Sequence, residues 1–240
     1  MSRYGLLAAL VVVLFVTSIG RAAPAIGGIG DRDEVCNATA DYFLGSEDYP
    51  QAVKSHLRVI AAHPDDALAH YHLGFAYGML GDSGDELVEY RRAVSLGLKK
   101  WDLFLNLGRL YLEKGDLEAA TEALTTAKTL GPDHAETYFN LGLADERRGA
   151  LGRAHDEMLT SLRLDPNQLD ARNMLALIDA EQGRLAEARR IWSALATANP
   201  DFSPARENLA LLDHAGKPSP GAEVSAAPSS LGNAALAYQR

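Results

Sequence analysis

One cysteine and seven histidines are the side chains best equipped for chemistry in this chain of 240 residues. Four of the histidines, His56, His63, His70 and His72, fall close together and raise the question of a metal. A zinc site needs three or four ligands converging on one ion. His70 and His72 are two residues apart, about 200° around a helix axis, so they point to opposite sides and do not share an ion. His70 is therefore expected to pack and His72 to line a surface, with no metal site. Cys36 is the sole cysteine, which rules out an intramolecular disulfide. It is expected to be a small packing residue, the sharper alternative being an intermolecular disulfide or a reactive thiol. Asp33 and Glu34 beside it would raise its pKa rather than activate it. The run Gly81-Asp82-Ser83-Gly84-Asp85 places a serine among small and acidic residues, but these are ordinary turn and capping types. The chain lacks H-E-x-x-H, G-x-S-x-G and the phosphate-binding G-x-x-x-x-G-K-[ST]. No catalytic residue, metal or cofactor is expected, and an enzyme is disfavoured. Asn37-Ala38-Thr39 matches a glycosylation sequon, but a helical position argues against its use.

The elements that carry these residues repeat. Gly81, Gly115, Gly149 and Gly183 are spaced by 34, as are Leu73, Leu107, Leu141, Leu175 and Leu209. Pro132, Pro166 and Pro200 hold the same interval in another phase. A fixed period of this size marks a stacked-repeat architecture in which each unit buries its apolar face against its neighbours. In the unit starting at Trp101, Phe104, Leu107, Gly108 and Tyr111 follow helical spacing. Gly115 and Asp116 then punctuate as a helix end and an N-cap. Leu117, Ala120, Leu124 and Ala127 give a second helix, which Gly131 and Pro132 stop. Gly74, Gly108 and Gly142 sit inside first helices, where glycine costs about 1 kcal/mol relative to alanine. Ala52, Ala120, Ala154 and Ala188 occupy one place in the second helices, and small side chains at both places let the two helices approach.

The segments H-Y-H-L-G-F-A-Y at 70–77, F-L-N-L-G-R-L-Y at 104–111 and Y-F-N-L-G-L-A-D at 138–145 resemble the tetratricopeptide repeat (TPR). The resemblance implies an all-α, right-handed α-solenoid of five helical hairpins, over 33–66, 67–100, 101–134, 135–168 and 169–202. A capping helix over 203–214 completes a solenoid domain spanning 33–214. The chain departs from the pattern at several places. The first unit has Cys36, Thr39, Ala40 and Phe43 at the signature positions. Glu86 stands where a small residue is expected, Leu98 replaces the terminal proline, and Asp145 and Asp179 replace the late tyrosine. The junction at Leu98 is expected to be more helical or differently angled.

In TPR proteins, positions two, five, nine and twelve of the first helix line a concave groove. Carried residue by residue, with position six beside them, this implies a binding strip of Tyr71, His72, Phe75, Leu105, Asn106, Arg109, Phe139, Asn140, Leu143, Asn173 and Leu177. Apolar side chains there would anchor a partner, and Asn106 and Asn140 would hydrogen-bond its backbone. Asp41, Asp102, Glu113, Glu136, Glu146, Asp170 and Glu181 would give an acidic margin. The family's carboxylate clamp uses lysine and asparagine where this chain has Asn37 and Asp41, so a chaperone-tail receptor is disfavoured.

The ends add location. Arg3 precedes the uncharged apolar run Leu6 to Val16, and small residues follow up to Ala25. This is the layout of a secretory signal over 1–25, with a linker over 26–32; an uncleaved N-terminal anchor is the alternative. Residues 215–240, rich in Pro, Ser, Ala and Gly, are expected to be a disordered tail. Removal of the signal takes Arg3 and Arg21, so 21 basic residues face 32 acids and the net charge becomes −11. Such a chain is ill suited to nucleic acid and suits neutral or basic partners. The expected function is a non-catalytic protein-interaction scaffold, periplasmic or secreted, binding a peptide or partner segment in its groove. Self-assembly into a homo-oligomer, or service as an accessory subunit of an envelope or secretion enzyme complex, are the alternatives.

Overall fold

The computed structural model describes residues 36–215. The expected signal peptide, the linker and, apart from Ala215, the tail lie outside the described residues. Among the described residues there are eleven α-helices and no strand. They run α1 Ala38–Gly45, α2 Tyr49–Ala62, α3 Ala67–Leu80, α4 Ser83–Ser95, α5 Trp101–Lys114 and α6 Leu117–Leu130. They continue as α7 Ala135–Arg147, α8 Leu151–Leu164, α9 Leu169–Glu181, α10 Leu185–Ala198 and α11 Ser203–Ala215. Consecutive helices pack as antiparallel hairpins, and each hairpin packs on the next, so the chain is an all-α solenoid. None of these helices is long and apolar enough to cross a membrane.

The period has a physical cause at each of its marks. Gly81, Gly115, Gly149 and Gly183 all adopt left-handed backbone, with φ between 74° and 84°. L side chains rarely take that conformation, so the turn within each hairpin selects glycine. Asp48, Asp82 and Asp116 then cap the second helices by accepting a backbone N–H. The glycine inside the first helix serves a close approach. A Cβ on Gly108 would lie 2.4 Å from Leu124 Cγ, and one on Gly142 would lie 2.6 Å from Met158 Cε. Position eight of the first helix thus receives the large residue at position 24 of the same unit.

The departures resolve into local chemistry. Glu86 fits because Gly78 faces it; a Cβ there would lie 2.5 Å from Glu86 Oε1. Asp145 and Asp179 are buried and paired, Asp145 with Arg153 at 2.8 Å and Asp179 with Arg184 and His155. Asp145 is thus tied to the second helix of its own hairpin, and Asp179 to the turn before α10 and to α8 of the preceding hairpin. The junction at Leu98 is not more helical. Helix α4 stops at Ser95, Gly97 turns with φ 91°, and the Leu98 N–H donates to the Ala93 carbonyl at 3.1 Å. A left-handed glycine ends the unit where a proline (Pro64, Pro132, Pro166 or Pro200) stands in the others.

The apolar core is uneven along the stack. Its largest cluster runs from α5 to α11 and includes Leu124, Met158, Ile178 and Trp192. A second joins α3 and α4 to α5 and α6 through Tyr71, Tyr90, Leu103 and Leu107. Where the first hairpin meets α3, the buried apolar cluster among the described residues is only Leu44, Ala52 and Ala76.

Candidate functional site

The strip carried over from the repeat pattern is largely closed. Tyr71, His72, Leu105, Asn106, Asn140, Leu143, Asn173 and Leu177 are buried; Phe75, Arg109 and Phe139 are partly exposed. The expected eleven-residue open strip is therefore corrected to these three. Neighbouring helices cover positions five and six, and Leu105, Leu143 and Leu177 belong to the main core cluster. The asparagines are also engaged. Asn140 Nδ2 donates to the Glu136 carbonyl at 2.8 Å, and Asn106 Nδ2 donates to the Tyr90 hydroxyl at 3.4 Å. Asn173 Oδ1 accepts from Trp192 Nε1 at 2.8 Å and from Asn208 Nδ2 at 3.0 Å. Asn106 and Asn173 thus link neighbouring helices of the stack, while Asn140 bonds within its own helix.

Two partly buried carboxylates stand on neighbouring first helices, Glu146 of α7 and Glu181 of α9. Burial pushes Glu146 above the ordinary carboxylate range. Burial and then the charge of Glu146 push Glu181 up to about 7. Both lie in the last turn of a helix or at its end, where the helix dipole is negative, and α9 has no basic residue in its last turn. Such a place gains from an incoming cation. A separate cleft of about 540 Å³, lined by Thr121, Thr125, Tyr138 and Leu141, carries charges already matched: Lys128 with Glu157 at 3.0 Å, Arg153 with Asp145.

A second group of side chains collects at the N-terminal end of the stack. Cys36, just before α1, meets Asp41 of α1, His56 of α2 and His72 of α3, and one ligand atom from each lies within 4.8 Å of all the others. Cys36 Sγ is 3.4 Å from Asp41 Oδ1, 3.6 Å from His56 Nδ1 and 3.5 Å from His72 Nδ1. His72 Nδ1 is 2.7 Å from Asp41 Oδ1, and Asp41 Oδ2 accepts the Asn37 N–H at 3.0 Å. The expectation of no metal ligand set fails to reckon with this group. His70 does turn away, to Glu89 and the Pro64 carbonyl, so it shares no ion with His72. His72, however, is buried rather than groove-lining, and its company comes from two other helices.

The repeat frame explains the meeting. Position 24 of one unit and position six of the next are 16 residues apart, and they meet where His56 faces His72 and where Asn106 donates to the Tyr90 hydroxyl. Position 24 reads His56, Tyr90, Leu124, Met158 and Trp192, and position six reads His72, Asn106, Asn140, Met174 and Asn208. At the first joint alone are both histidine, with ring centroids 5.4 Å apart. Comparison down the repeat columns, instead of along one helix, is the signal that would have found them.

A tetratricopeptide repeat model matches residues 37–99, 105–168 and 139–204. The chain belongs to the tetratricopeptide repeat family. No curated protein matches it at the level of sequence. Among solved structures it is similar to YrrB, a TPR protein described as having an unusual peptide-binding site. That match has TM-score 0.66 and 19% identity, over 73% of this chain and 92% of that one. It is also similar to MamA of Desulfovibrio magneticus RS-1, with TM-score 0.63, 17% identity and coverage of 73% and 99%. A TPR protein of Parabacteroides merdae matches with TM-score 0.65, 22% identity and coverage of 74% and 70%. At these identities the likeness establishes the fold alone.

Proposed function

We propose that this TPR protein is an exported, non-catalytic scaffold of the cell envelope that holds a short segment of a partner protein along its first helices. The coupled acid pair Glu146–Glu181 carries this reading. Burial, and then the charge of Glu146, raises Glu181 to about 7, which leaves a local demand for positive charge. A partner lysine or arginine placed there relieves the repulsion, and the partly exposed Phe75 and Phe139 offer apolar contact on first helices of the stack. The partner is thus a basic peptide segment with an aromatic or aliphatic anchor. YrrB, with its peptide-binding site, supplies a precedent for this use of the fold. The apolar run at Leu6 to Val16 supports export.

The test is selection from a random peptide display library on the purified protein, beside Glu146→Lys/Glu181→Lys and Phe139→Asp variants. Wild type is expected to enrich peptides carrying basic residues next to an apolar anchor. The charge-reversed variant is expected to lose that enrichment while keeping its far-ultraviolet circular dichroism. Enrichment indifferent to both variants, or none at all, defeats the groove. A reporter fused after residue 32 that is active only outside the cytoplasm tests export separately.

A further inference from the structure

From the packing of the first joint we infer that Cys36, Asp41, His56 and His72 form a binding site for a single zinc ion, which fastens the first hairpin to the second.

The distances support this. In a tetrahedral site with Zn–S near 2.3 Å and Zn–N near 2.0–2.1 Å, sulfur and nitrogen ligands stand about 3.6 Å apart and sulfur and oxygen about 3.5 Å. Cys36 Sγ stands 3.6 and 3.5 Å from the two imidazoles and 3.4 Å from the carboxylate. One edge is shorter. His72 Nδ1 and Asp41 Oδ1 are 2.7 Å apart, a hydrogen bond, against the about 3.3 Å of a metal-bound nitrogen and oxygen. That edge opens when the ion replaces the shared proton. Asp41 Oδ2, held by the Asn37 N–H, keeps the carboxylate aimed inward as it does so.

His56 is fully buried with both ring nitrogens in reach of the cluster: Nδ1 faces Cys36 Sγ, and Nε2, which has no hydrogen-bond partner, lies 3.7 Å from Asp41 Oδ1. Burying such an atom unpaired is costly. Thr137 Oγ1 and Asn173 Nδ2 are also unpartnered, but neither stands among three other ligand types. Every other unit places Tyr, Leu, Met or Trp where His56 sits, so packing alone does not call for an imidazole.

The electrostatics agree. Burial, then the charge and hydrogen bond of Asp41 and the charge of Asp66, raise the Cys36 thiol far above its ordinary pKa. Burial, then repulsion from His72, lowers His56 to about 4. Burial works against the Asp41 carboxylate, but the His72 and Asn37 contacts overcome it and lower its pKa. The same raised thiol argues against reading Cys36, His56 and Asp41 as a nucleophile, base and acid.

The choice of ion follows from the donors. Sulfur and imidazole nitrogen disfavour magnesium and calcium, and four protein ligands of mixed S, N and O type suit tetrahedral zinc. With all four positions filled by the chain, the ion is structural. Cys36 is only half-buried, which leaves an entry from the end of the stack. The apolar cluster at this joint is the smallest of the three, so a metal crosslink between α1, α2 and α3 adds what the side chains there do not.

The test uses the full chain, stripped with a chelator and titrated with Co²⁺, then Zn²⁺. One Co²⁺ per chain is expected, with the visible bands of tetrahedral cobalt and a near-ultraviolet thiolate charge-transfer band, both discharged by Zn²⁺. Cys36→Ser removes the charge-transfer band and weakens binding by at least about 100-fold, since even an outer-shell loss costs 10–100-fold. His56→Leu, which copies the residue of the third unit and so folds, loses binding likewise. His63→Ala leaves it unchanged, and Zn²⁺ raises the melting temperature of wild type but not of His56→Leu. Absence of stoichiometric binding by wild type overturns the site. So does binding that survives both Cys36→Ser and His56→Leu.

Discussion

Where the first hairpin meets the second, His56 faces His72; where the fifth meets α11, Trp192 faces Asn208, with Asn173 Oδ1 accepting from both. The two joints use the same pair of repeat positions. The last is closed by neutral hydrogen bonds set in a broad apolar core that includes Trp192, Leu195 and Leu212. The first is closed by a carboxylate, a thiol and two imidazoles beside Leu44, Ala52 and Ala76. One backbone solution thus accepts two chemistries. The difference teaches that packing density is spent at the C-terminal end, and that the N-terminal end holds titratable groups where another repeat would hold a hydrocarbon.

The contrast is breakable. Trp192→Ala removes a fully buried indole and its hydrogen bond, and is expected to cost about 3–5 kcal/mol in urea unfolding followed by circular dichroism. A loss under 1 kcal/mol would mean the last joint is not the apolar anchor described. Asp41→Ala, in chelator, leaves His72 and the Asn37 N–H without their acceptor; a cost of about 1.5–3 kcal/mol is expected, as for a hydrogen bond to a charged group. His56→Leu under the same conditions replaces an unpaired buried nitrogen with a hydrocarbon. Its stability should stay within about 1 kcal/mol of wild type, or exceed it. If it costs as much as Trp192→Ala, the two joints work alike and the comparison collapses.

The smallest effect is a pH slope at the other end. Glu181 has its folded pKa raised to about 7 by burial and by Glu146, from an ordinary value of 4.5. The folded chain therefore holds this proton where the unfolded chain has released it. Its contribution to stability is full below pH 4.5 and is lost as pH rises through about 7. Glu181 is partly exposed, so solvent screening should hold the change to no more than about 1 kcal/mol. The unfolding free energy of Glu181→Gln should lack this part of the slope; identical slopes in the two proteins would remove Glu181 from the account.

The sequence made the scaffold legible because its marks have single physical meanings. Gly115 and its equivalents announce a left-handed turn, and Gly108 and Gly142 announce a close helix approach. The groove was less legible. Positions five, six and nine face the neighbouring helix as much as the solvent, so Leu105, Leu143 and Asn173 look like binding residues in the repeat pattern and are buried in the fold. The meeting of the histidines is hidden for a related reason. His70 and His72 are neighbours in sequence and face apart, whereas His56 and His72 lie 16 residues apart and meet across a joint. Periodicity along one helix has no means of showing contact between two.

That 16-residue offset recurs at each joint, which makes the chemistry of a joint portable. Tyr90 and Asn106 occupy the places of His56 and His72 one unit further along. Grafting an imidazole pair there, with acid and thiol at positions nine and four of the second unit, writes the same four letters into the next line of the same page. A chain of this kind can move a function along its length without changing its shape.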